Sequence, residues 1–493
     1  MENKSMYLLV DSAILPEVFT KVIEVKKLLS SGKARTVNDA VSAAGLSRSA
    51  FYKYRDHVFP FYETSRGRVI TLYFAVEDFS GILSRIINKI AEAKANIITI
   101  NQNVPINGLA DVTGVVGSGV AEVIRKNGQS IADRAGGEKI RVRKILDIRD
   151  FPDSPDRDLM TRDPEEIFGD PDIKIVVETI GGTGVAREFT KRAFNAGKHV
   201  VTSNKELVAV HGPELLKLAA DNGVSYLFEA SVGGGIPIIR PLSQCLAANI
   251  INGITGILNG TTNYILTKMR KENCSFDEAL KNAQKNGYAE ADPTADIEGH
   301  DTCRKIAILS SIAYNEYVDC SRIHTEGISR ITLADMLYAE AMDSVIKLIA
   351  VSRREGDRVF ARVSPAVVSK EHPLAGVEDV FNAIVVSGDA IGDAMFYGRG
   401  AGKLPTASAV VADVIDIVKH NESTKSVWQR RETDNMVPFG ESVTRCLVRV
   451  AAKNRTEAAA DIEKIFGRVE YISADIKGID DELAFTTGKM TES

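Results

Sequence analysis

GYAEADPTADIEGHDTCRK, residues 287–305, is the stretch from which the rest of the chain is read. It places Glu290, Asp292, Asp296, Glu298 and Asp301 within twelve positions and closes on Lys305, four after Asp301. A solvated acidic helix would carry its charges at helical spacing without interruption. Pro293 and Gly299 break this segment, so the acids before Asp301 are expected on a folded loop. The apolar run Ile306–Ala313 then calls for a buried helix starting near His300. Asp301 falls in its first turn, where the helix dipole favours negative charge, and Lys305 lies one turn on, on the same face. Two readings are open: a capping acid with an ion pair, or a binding site. Carboxylates gathered beside a lysine at the mouth of a buried helix cost stability unless something is bound there.

The chain has 493 residues, too many for one core, and about three or four domains are expected. Hydrophobic residues at 44% and charged residues at 26% mark a soluble globular protein rather than a disordered one. A net charge of -5 gives no basis for a nucleic-acid or anionic-membrane partner. No apolar run reaches the roughly 18 residues that span a bilayer, and Met1–Ser5 is followed by no signal-peptide core. The five cysteines are scattered and form no CxxC pair, which fits a reducing cytoplasm and argues against structural zinc or disulfides. The histidines show no metal-ligand spacing.

Residues 1–63 read as helical. Thr36–Tyr54 contains a helix, a turn at Gly45 and a second helix capped by Ser47, which is helix-turn-helix grammar. With nine Lys/Arg against seven Asp/Glu over residues 1–63, packing is favoured over DNA contact. In 64–113 a strand (Val69–Val76), a helix (Ser80–Ala95) and two strands (Ile97–Val104, Leu109–Thr113) follow. The same βαββ order recurs in 442–493, as Thr444–Ala451, Thr456–Phe466, Arg468–Ile476 and Glu482–Thr487. Between them, in 114–239, strands Ile140–Ile148, Ile173–Thr179, Val200–Ser203 and Val224–Phe228 alternate with helices near Gly119–Lys126, Gly184–Ala196 and Pro213–Asn222. That alternation specifies an α/β fold with a doubly wound parallel sheet. Residues 240–400 read as a second, α+β block. In 401–425 the apolar helix Ala409–Lys419 returns to the first, and Asn421–Met436 reads as a polar linker.

GVVGSGVAEVI (Gly114–Ile124) looks like the end of a phosphate-binding turn feeding a helix, where backbone N–H groups and the dipole favour an anion. The usual fingerprint has one more glycine two residues earlier, after a buried strand. Val112 stands there and the strand candidate carries Asp111, so the first nucleotide-binding strand is expected to be missing or replaced. VVTSNKELV (Val200–Val208) puts Lys205 just past the carboxyl end of a strand, the edge where ligands sit, or where a loop charge is simply solvated. FEASVGGGIPII (Phe228–Ile239) is either a tight turn or a loop that aims successive carbonyls at a monovalent cation. GILNGTTNYIL (Gly256–Leu266) and FYGRGAGKLPTASAVVAD (Phe396–Asp413) are glycine-dense turns leading into helices, and both could line a cofactor cleft.

Five separated segments, TSNKE, EASVGGGIP, GILNGTTNYI, GYAEADPTADIEGHDTCRK and YGRGAGKLPTASAV, occur in the order and spacing of homoserine dehydrogenase. The resemblance covers about Gly114 to the C-terminus. AVEDFSGILSRI (Ala75–Ile86) resembles the ACT fold, a small amino-acid-binding regulatory domain, so the two βαββ segments look like incomplete ACT-like units flanking the catalytic block. An amino-acid effector would act there, at Asp78 and Gly81 in the first unit.

Carried over residue by residue, the resemblance implies that Lys305 and Lys205 are the acid/base pair around the substrate oxygen. Asp301 would hold the substrate and support Lys305, and Glu290 and Asp296 would bind the substrate ammonium. The backbone around Glu229, Val232, Gly234 and Ile236 would coordinate sodium. Gly114, Gly117, Gly181, Lys205, Gly400 and Gly402 would line an NAD(P) cleft, with Arg149 where a 2′-phosphate would be read. The family reaction interconverts L-homoserine and L-aspartate 4-semialdehyde with NADP or NAD, in threonine, methionine and isoleucine synthesis. A lysine near the carbonyl supplies the proton, so no zinc is called for. A cytoplasmic homodimer is expected. The alternative is a catalytically defective fusion that senses an amino acid, if the Thr113–Gly114 junction leaves no working cofactor site.

Overall fold

The computed structural model describes residues 16–30, 34, 36–55, 58, 112–149, 151, 153–420, 423–424, 427–431, 434–473 and 481–491. The elements expected between 64 and 111 lie outside the described residues. The chain divides into two units, Met1–Gln102 and Asn103–Ser493. In the first, helices Glu17–Ser30, Val37–Ala43 and Arg48–Tyr54 bury Val22, Val25, Ala40, Val41 and Phe51 against one another. Thr36 and Ser47 cap the two short helices through their hydroxyls, and Gly45 turns between them with φ +62°. The two short helices and the turn at Gly45 lie where the sequence put them, and their apolar sides pack on the first helix.

In the second unit, strands Ile175–Glu178, His199–Thr202 and Tyr226–Leu227 form a parallel sheet, and Ile145–Leu146 pairs in parallel with Met160–Thr161. Val200 and Val201 point to opposite faces and enter two different cores. One core takes the helix Lys205–Asp221, the other Val112–Arg134 and Lys403–His420, so the sheet is covered on both sides. The expected strand Ile140–Ile148 is only Ile145–Leu146. Doubly wound order places the first strand between the set holding Ile145–Leu146 and the set led by Ile175–Glu178. No described strand joins those sets.

The reading of Gly114–Gly119 as a turn is corrected: Val112, Thr113, Gly114 and Gly117 all lie in the helix Val112–Arg134. Buried Val116 and Val120, four residues apart, put an apolar face on this stretch of the helix. The helix expected from Pro213 also starts earlier, at Lys205, with Asn204 as cap. An internal proline leaves the carbonyl four residues back without its N–H partner. Here the Tyr317 hydroxyl donates to that carbonyl, Ala209 O, at 3.2 Å.

The second, α+β block is built on a six-stranded sheet in the order Gly392–Arg399, Phe381–Gly388, Ile251–Ile257, Ser344–Glu355, Arg358–Ser369, His324–Thr325. Helices Gly260–Glu272 and His300–Tyr314 pack on it through Ile265, Met269, Ile306 and Leu309, all fully buried. Each such side chain stabilises the fold by about 1.5–3 kcal/mol. The stretch expected as a linker is anchored: Trp428 is buried, and a Cβ on Gly212 would lie 2.3 Å from its ring. Near the C-terminus the βαββ order appears as Leu447–Ala451, Arg455–Phe466, Glu470–Tyr471 and Glu482–Thr486. Its last strand lies between the other two. Among the described residues, no helix is long and apolar enough to cross a membrane.

Candidate active site

Asn259 ends the strand-to-helix turn after Ile251–Ile257 and caps the helix Gly260–Glu272, its Oδ1 accepting from Thr262 N at 2.8 Å. Its Nδ2 is then left pointing across the turn, where it donates to Asp296 Oδ1 (2.7 Å) and Asp301 Oδ2 (2.9 Å). Asp296 sits on a single helical turn, Thr294–Ile297, inside the loop expected before the buried helix. That helix runs His300–Tyr314 and begins at Gly299 in the left-handed conformation, φ +81°. Asp301 therefore occupies its first turn and Lys305 the next.

Two ammonium groups close on Asp301. Lys305 Nζ donates to Oδ2 at 2.7 Å and to the carbonyl of Leu258, also at 2.7 Å. Lys205 Nζ lies 2.7 Å from Oδ1. Lys205 is the first residue of its helix, held there by the Asn204 cap, and Glu206 beside it pairs with Arg304 at 3.1 Å. Burial alone would raise the Asp301 carboxyl, but Lys205 and Lys305 hold it well below the usual carboxylate range. Asp301 in turn raises Lys205 against the opposing effect of burial. The Lys205 side chain is 41% exposed and the Lys305 side chain 9%, so one ammonium opens to the cleft and the other is enclosed.

The acids near Lys205 are pushed the other way. Burial first, then the charge of Asp301, raises Asp296; burial first, then Asp296, raises Glu290. A negative potential of this kind is relieved by a bound cation such as an ammonium. Of the residues expected in the site, Lys205, Glu290, Asp296, Asp301 and Lys305 come together.

Glu178 ends its strand beside Thr202, whose hydroxyl donates to it at 2.5 Å. Asn204 N donates back to Thr202 Oγ1 (2.9 Å), and Asn204 Nδ2 donates to Gly182 O (2.7 Å). Lys205 and the Gly181–Gly182 loop thus share one support. Glycines 234 and 400 meet on the other side: a Cβ on Gly234 would lie 2.5 Å from Gly400 O, and one on Gly400 would lie 1.9 Å from Asn382 Nδ2. Gly117 packs by the Thr179 side of this region: a Cβ there would lie 3.3 Å from the Thr179 hydroxyl. Arg149 stands apart, at the end of Ile145–Leu146, with its fork engaged by Asp147: Nε to Oδ1 at 2.9 Å and Nη2 to Oδ2 at 2.6 Å. The expected 2′-phosphate reader already holds a carboxylate.

The loop Glu229–Ile236 is fixed by its own acid. Glu229 Oε1 accepts from Ile238 N (2.7 Å) and Ile239 N (2.8 Å), and Oε2 from Arg240 N (2.7 Å). Gly233 and Gly234 turn with φ +74° and +55°. Among the described residues no cluster of His, Cys, Asp or Glu could hold a metal ion. Asn259, Glu178, Asn204 and Asp147 were not singled out by the motifs. Asn259 had a local signal, an asparagine just before a helical run.

Residues 113–229 match the family model described as "Homoserine dehydrogenase, NAD binding domain", and residues 237–415 match the model described as "Homoserine dehydrogenase". A homoserine dehydrogenase of Neisseria gonorrhoeae is 40% identical over 397 residues, 77% of this chain and 90% of that one. The chain belongs to the homoserine dehydrogenase family. A Synechocystis homoserine dehydrogenase is 47% identical over 62% of this chain and 71% of its own length. The crystal structure of a homoserine dehydrogenase from Thiobacillus denitrificans superposes with a TM-score of 0.70 at 39% identity, covering 77% of this chain and 90% of that one. A hyperthermophilic archaeal homoserine dehydrogenase solved in complex with NADPH matches 62% of this chain and 94% of its own, at 30% identity and a TM-score of 0.52. Within this family the chain is an oxidoreductase with a nicotinamide-nucleotide domain.

Proposed function

We propose that Lys205, Asp301 and Lys305 are the proton-transfer centre for interconverting L-homoserine and L-aspartate 4-semialdehyde. The observation that carries this reading is Asp301, buried, with a lysine ammonium 2.7 Å from each of its carboxylate oxygens. Asp301 holds both ammonium groups at one point. A lysine so placed protonates the aldehyde oxygen as alkoxide develops, and takes the hydroxyl proton back in the reverse direction. Glu290 and Asp296 bind the substrate ammonium, which relieves the repulsion between them. Arg304 and Glu206 clasp the two helices that carry the lysines, which fixes their separation.

The match to a nucleotide-binding family model supports a dinucleotide at this domain. Gly182 turns with φ +74° beside the Asn204 cap, and Gly234 and Gly400 let the two loops approach so closely that a Cβ on either would meet protein atoms. Gly181, Lys205, Gly400 and Gly402 would hold the group, and Gly114 and Gly117 would meet it from a helix rather than a turn. When bound, a nicotinamide dinucleotide supplies the hydride. The carbonyls of Glu229, Val232, Gly234 and Ile236 suit a sodium ion, because the Glu229 carboxylate is spent on backbone N–H groups and neutral oxygens remain.

The test is to mix the purified protein with L-homoserine and NAD+ or NADP+ and follow reduced nicotinamide by absorbance. Turnover that requires L-homoserine supports the reading. Absence of turnover with both cofactors, from protein folded by circular dichroism, overturns it.

A further inference from the structure

Resting on the reading above, we propose that Asp147 sets the dinucleotide preference: it keeps the Arg149 fork closed to a 2′-phosphate, so the chain selects NAD over NADP. Asp147 directly follows Ile145–Leu146, at the carboxyl end of a parallel strand, where nucleotides lie in doubly wound sheets. Its backbone stays in line with the neighbouring strand, since Asp147 N donates to Thr161 O at 3.2 Å. The side chain is therefore presented from a fixed point.

Both carboxylate oxygens are used on Arg149. Oδ1 accepts from Nε (2.9 Å) and from Arg149 N (3.0 Å), and Oδ2 accepts from Nη2 (2.6 Å). This is the two-point geometry with which a guanidinium otherwise grips a phosphate. The guanidinium also lies over the Phe151 ring, 5.0 Å from its centre, which fixes its plane. The pair is part-exposed, with the Arg149 side chain at 35% and the Asp147 side chain at 18%. It is accessible to a ribose rather than sealed in a core.

A 2′-phosphate entering here would have to displace Asp147 from its arginine and then sit beside the displaced charge. A free ribose 2′-hydroxyl meets neither obstacle, because it can donate to Asp147 while the ion pair persists. An arginine in the sequence at this point suggests NADP; the carboxylate two residues earlier reverses the reading. The selectivity comes from a repulsive element as much as from an attractive one.

The test compares adenosine 5′-monophosphate with adenosine 2′,5′-bisphosphate as fragments, by isothermal titration calorimetry on the full chain. It runs on wild type, Asp147→Ser, Asp147→Asn and the double variant Asp147→Ser/Arg149→Ala. Thermal melting establishes that each variant is folded. Wild type is expected to bind the monophosphate at least as tightly as the bisphosphate. Asp147→Ser and Asp147→Asn should shift the ratio toward the bisphosphate by about ten- to hundredfold, the worth of a charge-assisted contact, and the double variant should lose that gain. Ratios of kcat/KM for NAD+ and NADP+ should move in parallel. A wild type that favours the bisphosphate tenfold, a ratio indifferent to Asp147, or no binding of either fragment overturns the proposal. Homoserine-dependent turnover with either cofactor would leave the family reaction standing in all three cases.

Discussion

Asp301 pairs with two ammonium groups, and removing it takes from the enclosed Lys305 the carboxylate that it touches. Asp301→Ala is expected to cost about 3 kcal/mol of stability, to lower kcat and to raise KM, read by chemical denaturation and initial rates. Lys305→Ala should lower kcat by about 10²–10⁴-fold, the usual worth of a general acid, and wild-type turnover would remove Lys305 from the mechanism. A second prediction concerns Glu178. Burial lifts its carboxyl to about 7 against the hydrogen bonds from Thr202 and Ile180, whereas a glutamate in an unfolded chain titrates near about 4.3. Between those values the folded state keeps a proton that the unfolded state has released. Stability therefore falls as pH rises through that window, by at most about 1.4 kcal/mol per pH unit, and the slope vanishes above it. Glu178→Gln cannot titrate, so the difference in melting temperature between variant and wild type should widen in the variant's favour from pH 5 to 7. A difference that stays flat with pH would show that Glu178 is ionised throughout. Asp301 and Lys305 were legible in the sequence because their relation is local, one helical turn. Lys205 was placed beside them by resemblance alone, since a contact between two helices so far apart in the chain leaves no trace in spacing.

Helices and strands with a continuous apolar pattern were read closely: Gly184–Asn195, Ile175–Glu178 and the start of the buried helix at His300 stand where periodicity put them. Boundaries failed where tertiary partners override a local signal. Pro213 reads as a helix start, but the Tyr317 hydroxyl satisfies the carbonyl that the proline orphans, and the helix runs back to Lys205. That extension matters to the site, because it places Lys205 on a rigid helix rather than a loop. Gly114 and Gly117 read as a turn and are helical for a related reason: turn chemistry permits a bend but does not impose one. The loop at Gly400 is the opposite case, a glycine whose requirement is visible only in three dimensions. Gly400→Ala would set a Cβ 1.9 Å from Asn382 Nδ2, and the facing strand leaves that side chain little room to withdraw. The loop must shift, so the expected result is a KM for the dinucleotide raised about tenfold or more, with a smaller change for L-homoserine. Unchanged cofactor KM would show that the Arg399–Gly402 loop does not touch the dinucleotide.

Among the described residues of the nucleotide block, parallel strands fall into two sets, and the seam between them lies where doubly wound order calls for the first strand. The sequence had pointed to that seam through Val112, which stands where the fingerprint has a glycine. The consequence is an uneven distribution of stability. Val200 and Val201 are hydrogen-bonded on both sides, between Val176–Val177 and Tyr226–Leu227, and both are fully buried. Among the described residues, Ile145 and Leu146 pair on one side only, over two residues, with part of their surface open. A ladder that short is held by its surroundings rather than by its own bonds. Hydrogen exchange followed by mass spectrometry should therefore show the 199–202 amides exchanging only through global unfolding, and those of 145–149 exchanging through local opening, about tenfold faster or more. Saturating dinucleotide should slow exchange at 145–149 far more than at 199–202, because a ligand protects the segment it bridges and adds little to one already limited by global stability. Equal protection of both segments without ligand would mean that the two sets behave as one continuous sheet. In that case the seam would carry no energetic cost, and the cofactor would bind a preformed surface instead of helping to assemble one.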